Sequence, residues 1–265
     1  MKMNILRAAI LMIVILGIAV FWITKAVYPS RQSHINTQQE MESAVQKEDV
    51  VRLKTLLSTG VNVDIKDRYG WTSLMLAARD GKTASALFLL DNGADPNAQV
   101  PDVFPLKLAA SGGHFEIAKQ LLARGARVDE RTSFGNTALI YAAGGGHKEI
   151  VKLLAAYGAN INAVTEAGNS ALMLVHDRPE SVDTLVTLIN LGADISAKDS
   201  NGWTPLFYAV RVRRYRAIQV LLESGADVNA KTIHDQTVLN LAELLKDAEL
   251  IEFLKQAGAK LGRRY

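Results

Sequence analysis

Arg211-Val212-Arg213-Arg214-Tyr215-Arg216 is the densest group of chemically capable side chains in the sequence. Guanidinium forks suit an acidic patch or a phosphate on a partner, and a solvated helix face is the other reading of such a run. Arg263 and Arg264 extend the basic character. Gly144-Gly145-Gly146-His147 suggests a phosphate cradle, yet it lacks the preceding strand and the Lys-Ser/Thr of a P-loop. Of the five histidines, His34, His176 and His234 stand alone, and His114 and His147 recur at one repeat position. That is not zinc-ligand spacing. There is no cysteine, which removes disulfides and thiolate chemistry. No nucleophile–base constellation stands out, so neither a catalytic residue, a metal ligand nor a cofactor is expected. Trp71 and Trp203 each follow a glycine, Gly70 and Gly202, and either anchor a partner or pack on a neighbouring turn.

The bulk charge points away from nucleic acid. The formal charge is +3. Residues 1–34 contribute Lys2, Arg7, Lys25 and Arg31 and no acid, leaving 26 basic and 27 acidic residues beyond them. A near-neutral remainder offers no global field for nucleic acid or an acidic substrate.

Residues 8–24 carry no charge and are nearly all apolar. As a helix they extend about 26 Å, close to the roughly 30 Å hydrocarbon core. Arg7 and Lys25 flank the run and Trp22 sits at an interfacial position. We expect a single-pass anchor in a bacterial inner membrane. The amino terminus, Lys2 and Arg7 on the inner side place the repeats in the periplasm. The alternative is a cleaved signal, with Thr24-Lys25-Ala26 as the processing site and a secreted product. Residues 1–7 form the basic flank and 25–36 a polar spacer that includes Pro29.

The remaining residues follow a glycine register. Gly60, Gly93, Gly125, Gly158, Gly192, Gly225 and Gly258 are 32 to 34 residues apart. Four residues before each stands a leucine: Leu56, Leu89, Leu121, Leu154, Leu188, Leu221 and Leu254. Seven before stands another apolar residue, from Leu53 to Ile251. The two positions share a helix face, and the glycine supplies a left-handed stop. A second leucine register, Leu74, Leu106, Leu139, Leu172, Leu206 and Leu239, marks a first helix. Thr72, Thr137, Ser170, Thr204 and Thr237 stand at its N-cap, and Pro205 fits its first turn.

Gly202-Trp203-Thr204-Pro205-Leu206, Ser224-Gly225-Ala226-Asp227-Val228-Asn229-Ala230, Gly145-Gly146-His147-Lys148-Glu149-Ile150-Val151 and Gly113-His114-Phe115-Glu116-Ile117 resemble the ankyrin-repeat family. The period near 33 agrees. The resemblance covers 37–265 and implies an all-α solenoid of about seven helix-turn-helix repeats (about 37–66, 67–99, 100–131, 132–164, 165–198, 199–231 and 232–265) preceded by the transmembrane helix. The family's histidine after Thr-Pro-Leu is absent; Met75, Lys107, Ile140, Met173, Phe207 and Asn240 replace it, which weakens a local hydrogen-bond network. Repeat three has Asp102, beside Pro101, in place of the hairpin glycine. In repeat five Asp177-Arg178-Pro179 replaces the glycine turn.

Carried over by register, the family's concave ligand-facing surface here comprises Arg68, Tyr69, Trp71, Arg79, Asp80, Phe134, Asn136, Asn201, Trp203 and Arg211, with Arg213 and Arg214 beside it. The resulting expectation is a non-catalytic scaffold that binds a protein partner near the membrane, without nucleic acid or a small-molecule substrate. The rival readings are an exported effector and an enzyme whose site lies in the atypical repeats three and five.

Overall fold

The structure, a computed structural model, describes residues 31–175 and 181–263. The anchor segment 8–24 and the turn at Asp177-Arg178-Pro179 lie outside the described residues, as does Arg264. Among the described residues, no helix is long and apolar enough to cross a membrane.

Fourteen helices form seven pairs among the described residues. The pairs are α1 Arg31–Gln46 and α2 Val50–Ser58; α3 Ser73–Asp80 and α4 Thr83–Asp91; α5 Pro105–Gly112 and α6 Phe115–Ala123; α7 Ala138–Gly144 and α8 Lys148–Ala156; α9 Ala171–Leu174 and α10 Val182–Asn190; α11 Pro205–Arg211 and α12 Tyr215–Glu223; α13 Val238–Leu244 and α14 Ala248–Gln256. The first helix of each pair packs on the first helix of the next, so these helices form one row. From α2 to α12 the second helices pack on one another in a parallel row. Among the described residues, α1 already includes residues 31–36, which belong to the stretch expected as spacer.

Chain termination at each pair has one chemical cause. All seven register glycines adopt positive φ, from +85° to +96°. The amide of the following residue then turns back to the leucine carbonyl of the last helical turn. Ala126 donates to Leu121 at 3.0 Å, Ala159 to Leu154 at 3.0 Å and Ala226 to Leu221 at 2.9 Å. This is the left-handed cap that satisfies orphan carbonyls. The same leucines fill the core, and from Leu89 to Leu254 they are fully buried. Leu74, Leu106, Leu139, Leu172, Leu206 and Leu239 line it from the first-helix side. At the C-terminal end the register loosens. Ile251 is only half-buried, while the neighbouring Leu250 stays fully buried like Ile117 and Ile150 before it.

The starts of the first helices vary more. Thr72 and Thr137 accept from the amides of Met75 and Ile140, as expected of N-caps. Thr204 does not. There the Phe207 amide donates to the Thr204 carbonyl at 3.0 Å, and among the described residues the buried hydroxyl has no partner. In the last repeat Asn240 takes over the role of the missing histidine. Its Oδ1 accepts from the Thr237 amide at 3.0 Å and from Gly262 N at 2.9 Å. The expected weakening is therefore offset at that repeat.

Between pairs the chain makes a hairpin without forming a β-strand among the described residues; only isolated bridges such as Lys66 with Thr72 occur. Asp67 and Asp199 each accept two amides of their own turn, including those of Trp71 and Trp203. Successive hairpins are joined by single bonds: Glu166 N to Phe134 O at 2.9 Å, Ser200 N to Ala167 O at 3.0 Å, Ile233 N to Asn201 O at 3.0 Å. In repeat three Asp102 adopts φ +63°, and its carboxylate, not a carbonyl, accepts from Ser133 N and Oγ. On the opposite edge Asp64, Asn97, Asp129, Asn162 and Asn229 accept an amide from the following repeat or, for Asn229, from the C-terminal segment. The acids and amides that recur after each glycine are thus structural.

This stacking predicts unequal costs for two glycine substitutions. Gly125 has φ +85° and open space where a Cβ would stand. Gly125→Ala should cost only the left-handed backbone term, about 1–2 kcal/mol. Gly202 has φ +77°, and its Cβ would meet the Ile233 amide nitrogen at 2.9 Å. Gly202→Ala should cost clearly more, because the next hairpin must move. Chemical denaturation of both variants checks this, and equal costs would contradict the hairpin stacking.

Candidate partner-binding surface

The glycine-rich turn is an inter-helix turn. Gly146 adopts φ +75°, and the His147 ring nitrogen lies 3.2 Å from the Ser111 carbonyl of the preceding repeat. His114 repeats the arrangement at 3.1 Å from the Arg79 carbonyl. A Cβ on Gly113 would meet the His147 ring at 2.6 Å. Each histidine thus bridges two repeats beneath a glycine, which explains its recurrence without a phosphate.

The hairpin tips carry the residues that face solvent. Tyr69 is 67% exposed and Phe134 is 66% exposed. They occupy the same register position, the residue before the turn's left-handed residue, and Pro101 stands there in the repeat between them, also exposed. Arg68 is exposed, with its guanidinium carbon 4.7 Å from the Tyr69 ring centre. Asn201 holds the same position in its repeat, and its carbonyl is spent on the next hairpin. Asn136 is half-buried, and its amide donates to Thr132 Oγ1 at 3.1 Å. Ile233, at 63% exposure, extends the apolar character to the seventh hairpin. Sequence reasoning passed it over because it stands one position off the aromatic row.

For Trp71 and Trp203, read as either partner anchors or packed residues, the structure shows packing on the fold. Both are half-buried and pack against the core. Each is covered by the arginine eight residues on: Arg79 lies 5.4 Å from the Trp71 ring and Arg211 lies 5.5 Å from the Trp203 ring. The ring quadrupole attracts a guanidinium placed over its face, which holds each arginine and tryptophan together. Asp80 grips Arg79 through two oxygens at 2.6 and 2.7 Å and also accepts from Gln46. The Arg79 hydrogen bonds hold the Asp80 carboxyl below its ordinary range.

Around Trp203 lies a network that the sequence did not reveal. The Phe207 ring centre is 5.6 Å away and the Tyr208 ring 5.7 Å, edge on. Tyr208 is buried, and its hydroxyl reaches Asn169 Oδ1 at 2.7 Å and Asp199 Oδ2 at 2.8 Å. Burial, and then donation to Asp199, push the phenol well above its ordinary value. Asp199 therefore spends both oxygens inside the fold. Only the tyrosine four residues beyond Thr204 hinted at this, and position alone does not announce a hydrogen bond.

The arginine run divides by role. Arg213 sits in the left-handed turn at φ +55°, contacts Asp247 at 3.2 Å and donates to the Leu245 carbonyl at 2.9 Å. It ties repeat six to repeat seven. Arg214 is the half-buried N-cap residue of α12. Arg216 donates to Gln219. Arg211 is the exposed member of the run that stacks on Trp203.

Repeat three was a candidate for enzymatic chemistry. Lys107 donates to the Asp102 carbonyl at 2.5 Å and sits 4.9 Å above the Tyr141 ring. Burial lowers its pKa. Asp102 is committed to Ser133. These groups hold an irregular turn in place of a glycine, and that accounts for their geometry.

Comparison with known proteins agrees with this architecture. The family model described as ankyrin repeats (three copies) matches residues 35–100, 106–199 and 179–265. The human ASB11 ankyrin repeat domain superposes with a TM-score of 0.73 at 26% identity, covering 82% of this chain and 96% of that one. Human "Ankyrin repeat and KH domain-containing protein 1" is 40% identical over 109 residues, 40% of this chain and 4% of its own length. Bovine "SMC5-SMC6 complex localization factor protein 1" is 35% identical over 115 residues, 42% of this chain and 11% of its own. The chain thus spans a small part of these curated relatives, and the likeness is one of repeats. With the family model covering most of its length and the capped helix pairs repeating as they do, this chain belongs to the ankyrin-repeat family.

Proposed function

We propose that this chain is a non-catalytic scaffold that binds a protein partner along its hairpin tips and concave face, held at a membrane by residues 8–24. Ankyrin repeats are protein–protein interaction units, which supplies the general class. The observation that carries the finer reading is the row Tyr69, Pro101 and Phe134. Exposed aromatics stand there on turns whose backbones are fixed by hydrogen bonds. A rigid aromatic costs little entropy to bury, and such residues anchor interfaces. Trp71 and Trp203 then serve as walls beside the anchors. The membrane part rests on the uncharged run 8–24 and on the basic residues before it, which favour repeats on the periplasmic side. Secretion after cleavage is its alternative.

Three outcomes are expected. A photo-crosslinking amino acid at Phe134 should trap a partner that the same group at exposed Lys119, on a second helix, does not. Tyr69→Ala and Phe134→Ala should each weaken that partner by at least about tenfold without lowering Tm. Affinity unchanged in both variants would remove the hairpin row from the account. For topology, protease added outside the cytoplasmic membrane should digest the repeats and leave a membrane-bound stub. Repeats protected until lysis would contradict the orientation, and a mature chain beginning near Val27 would favour the secreted form.

A further inference from the structure

Two tryptophan–arginine stacks occur in this array at equivalent positions, four repeats apart. Trp71 with Arg79 and Trp203 with Arg211 share the same spacing and nearly the same ring distance, 5.4 and 5.5 Å. They differ in what completes the guanidinium. At the first stack Asp80 occupies two of its donor positions. At the second, the residue in the place of Asp80 is Val212, which has no charge. The nearby Asp199 does not substitute for it. One of its oxygens accepts the amides of Asn201 and Trp203, and the other accepts the Tyr208 hydroxyl. Arg211 is exposed, stacks on Trp203 and lies 4.7 Å from the Tyr208 ring centre. Among the described residues it makes no ion pair within the chain.

We propose that Arg211 donates to a carboxylate of an acidic segment in the partner protein, which takes the place that Asp80 fills internally at the first stack. The stack holds the guanidinium plane on a fixed wall, so its donors are oriented before the ligand arrives. A carboxylate matches that fork with two parallel hydrogen bonds. One repeat further on, at the register of Arg211, Leu244 is 61% exposed. The segment that fits therefore combines an acidic side chain with an apolar one. This inference rests on the reading that the array binds a protein, and it names the chemistry of that partner at repeats six and seven.

The test uses the full-length chain and a fluorescein-labelled peptide alternating glutamate and leucine, followed by fluorescence anisotropy at low salt. The wild-type chain should bind it, and should bind the version with glutamine for glutamate at least about tenfold more weakly. Arg211→Gln should reduce binding of the glutamate peptide by a similar factor. Val212→Asp should do the same while keeping the arginine, because it rebuilds the internal pair of the first stack; circular dichroism confirms that this variant is folded. Lys119→Gln, at an exposed second-helix position outside the proposed surface, should leave binding unchanged. Failure of the wild-type chain to bind the peptide would overturn the assignment. So would equal binding by folded Val212→Asp, or preference for a phosphoserine version with refusal of the glutamate one. Crosslinking through Phe134 does not pass through Arg211. Its failure with peptide binding intact would strike the scaffold reading, whereas the converse would strike this assignment alone.

Discussion

No repeat in this chain can bury its own apolar face, and that constraint shapes everything else. A single pair of helices, most of them seven to nine residues long, has too little interior to stand in water alone. The leucine rows solve this by meeting across repeat boundaries, with the residues of each row at or near zero exposure. Polar chemistry follows the same direction. Asp64, Asn97, Asp129 and Asn162 reach forward to the following repeat, and His114 and His147 reach back to the one before. Stability is consequently a property of neighbours, and the backbone bonds that carry it extend out to the hairpin tips.

That extension links the fold to binding. A hairpin of six or so residues on its own would exchange conformations freely, and an aromatic on its tip would lose much of its value as an anchor. Here Glu166, Ser200 and Ile233 each donate to the hairpin before. Phe134 is presented on a turn bonded to the following hairpin, and Tyr69 on a turn closed by its own bonds between Asp67, Gly70 and Trp71. The irregular repeat three obeys the same rule with different chemistry, since the Asp102 carboxylate supplies the acceptor for Ser133. A residue that breaks the glycine pattern therefore preserves the stacking it first seemed to threaten.

Much of this was legible in the sequence, and the reason is periodicity. Glycines near a 33-residue spacing with leucines at fixed offsets specify capped helices stacked in register, and every one of those glycines is left-handed. What escaped depends on contacts between residues that no period relates. The fate of Trp71 and Trp203 is decided by the arginine eight residues later, and the difference between them by one neighbour, Asp80 or Val212. The replacement of the missing histidine by Asn240 needed the C-terminal segment to return to it at Gly262. The unpartnered Thr204 hydroxyl reflects a local choice of the Phe207 amide. Arginines in one run proved to have different duties, because Arg213 lies in a left-handed turn facing Asp247 and Arg211 lies on a ring.

The central claim is that the hairpins are held rigid by their neighbours. Native-state amide hydrogen exchange reads this directly at Glu166, Ser200 and Ile233. These amides lie in exposed turns, outside any helix, and donate to the preceding hairpin. The account predicts protection approaching that of the buried helical amides of the same repeats, lost together with them in one cooperative opening. Exchange at the rate of free loop amides, with the helices still protected, would contradict it.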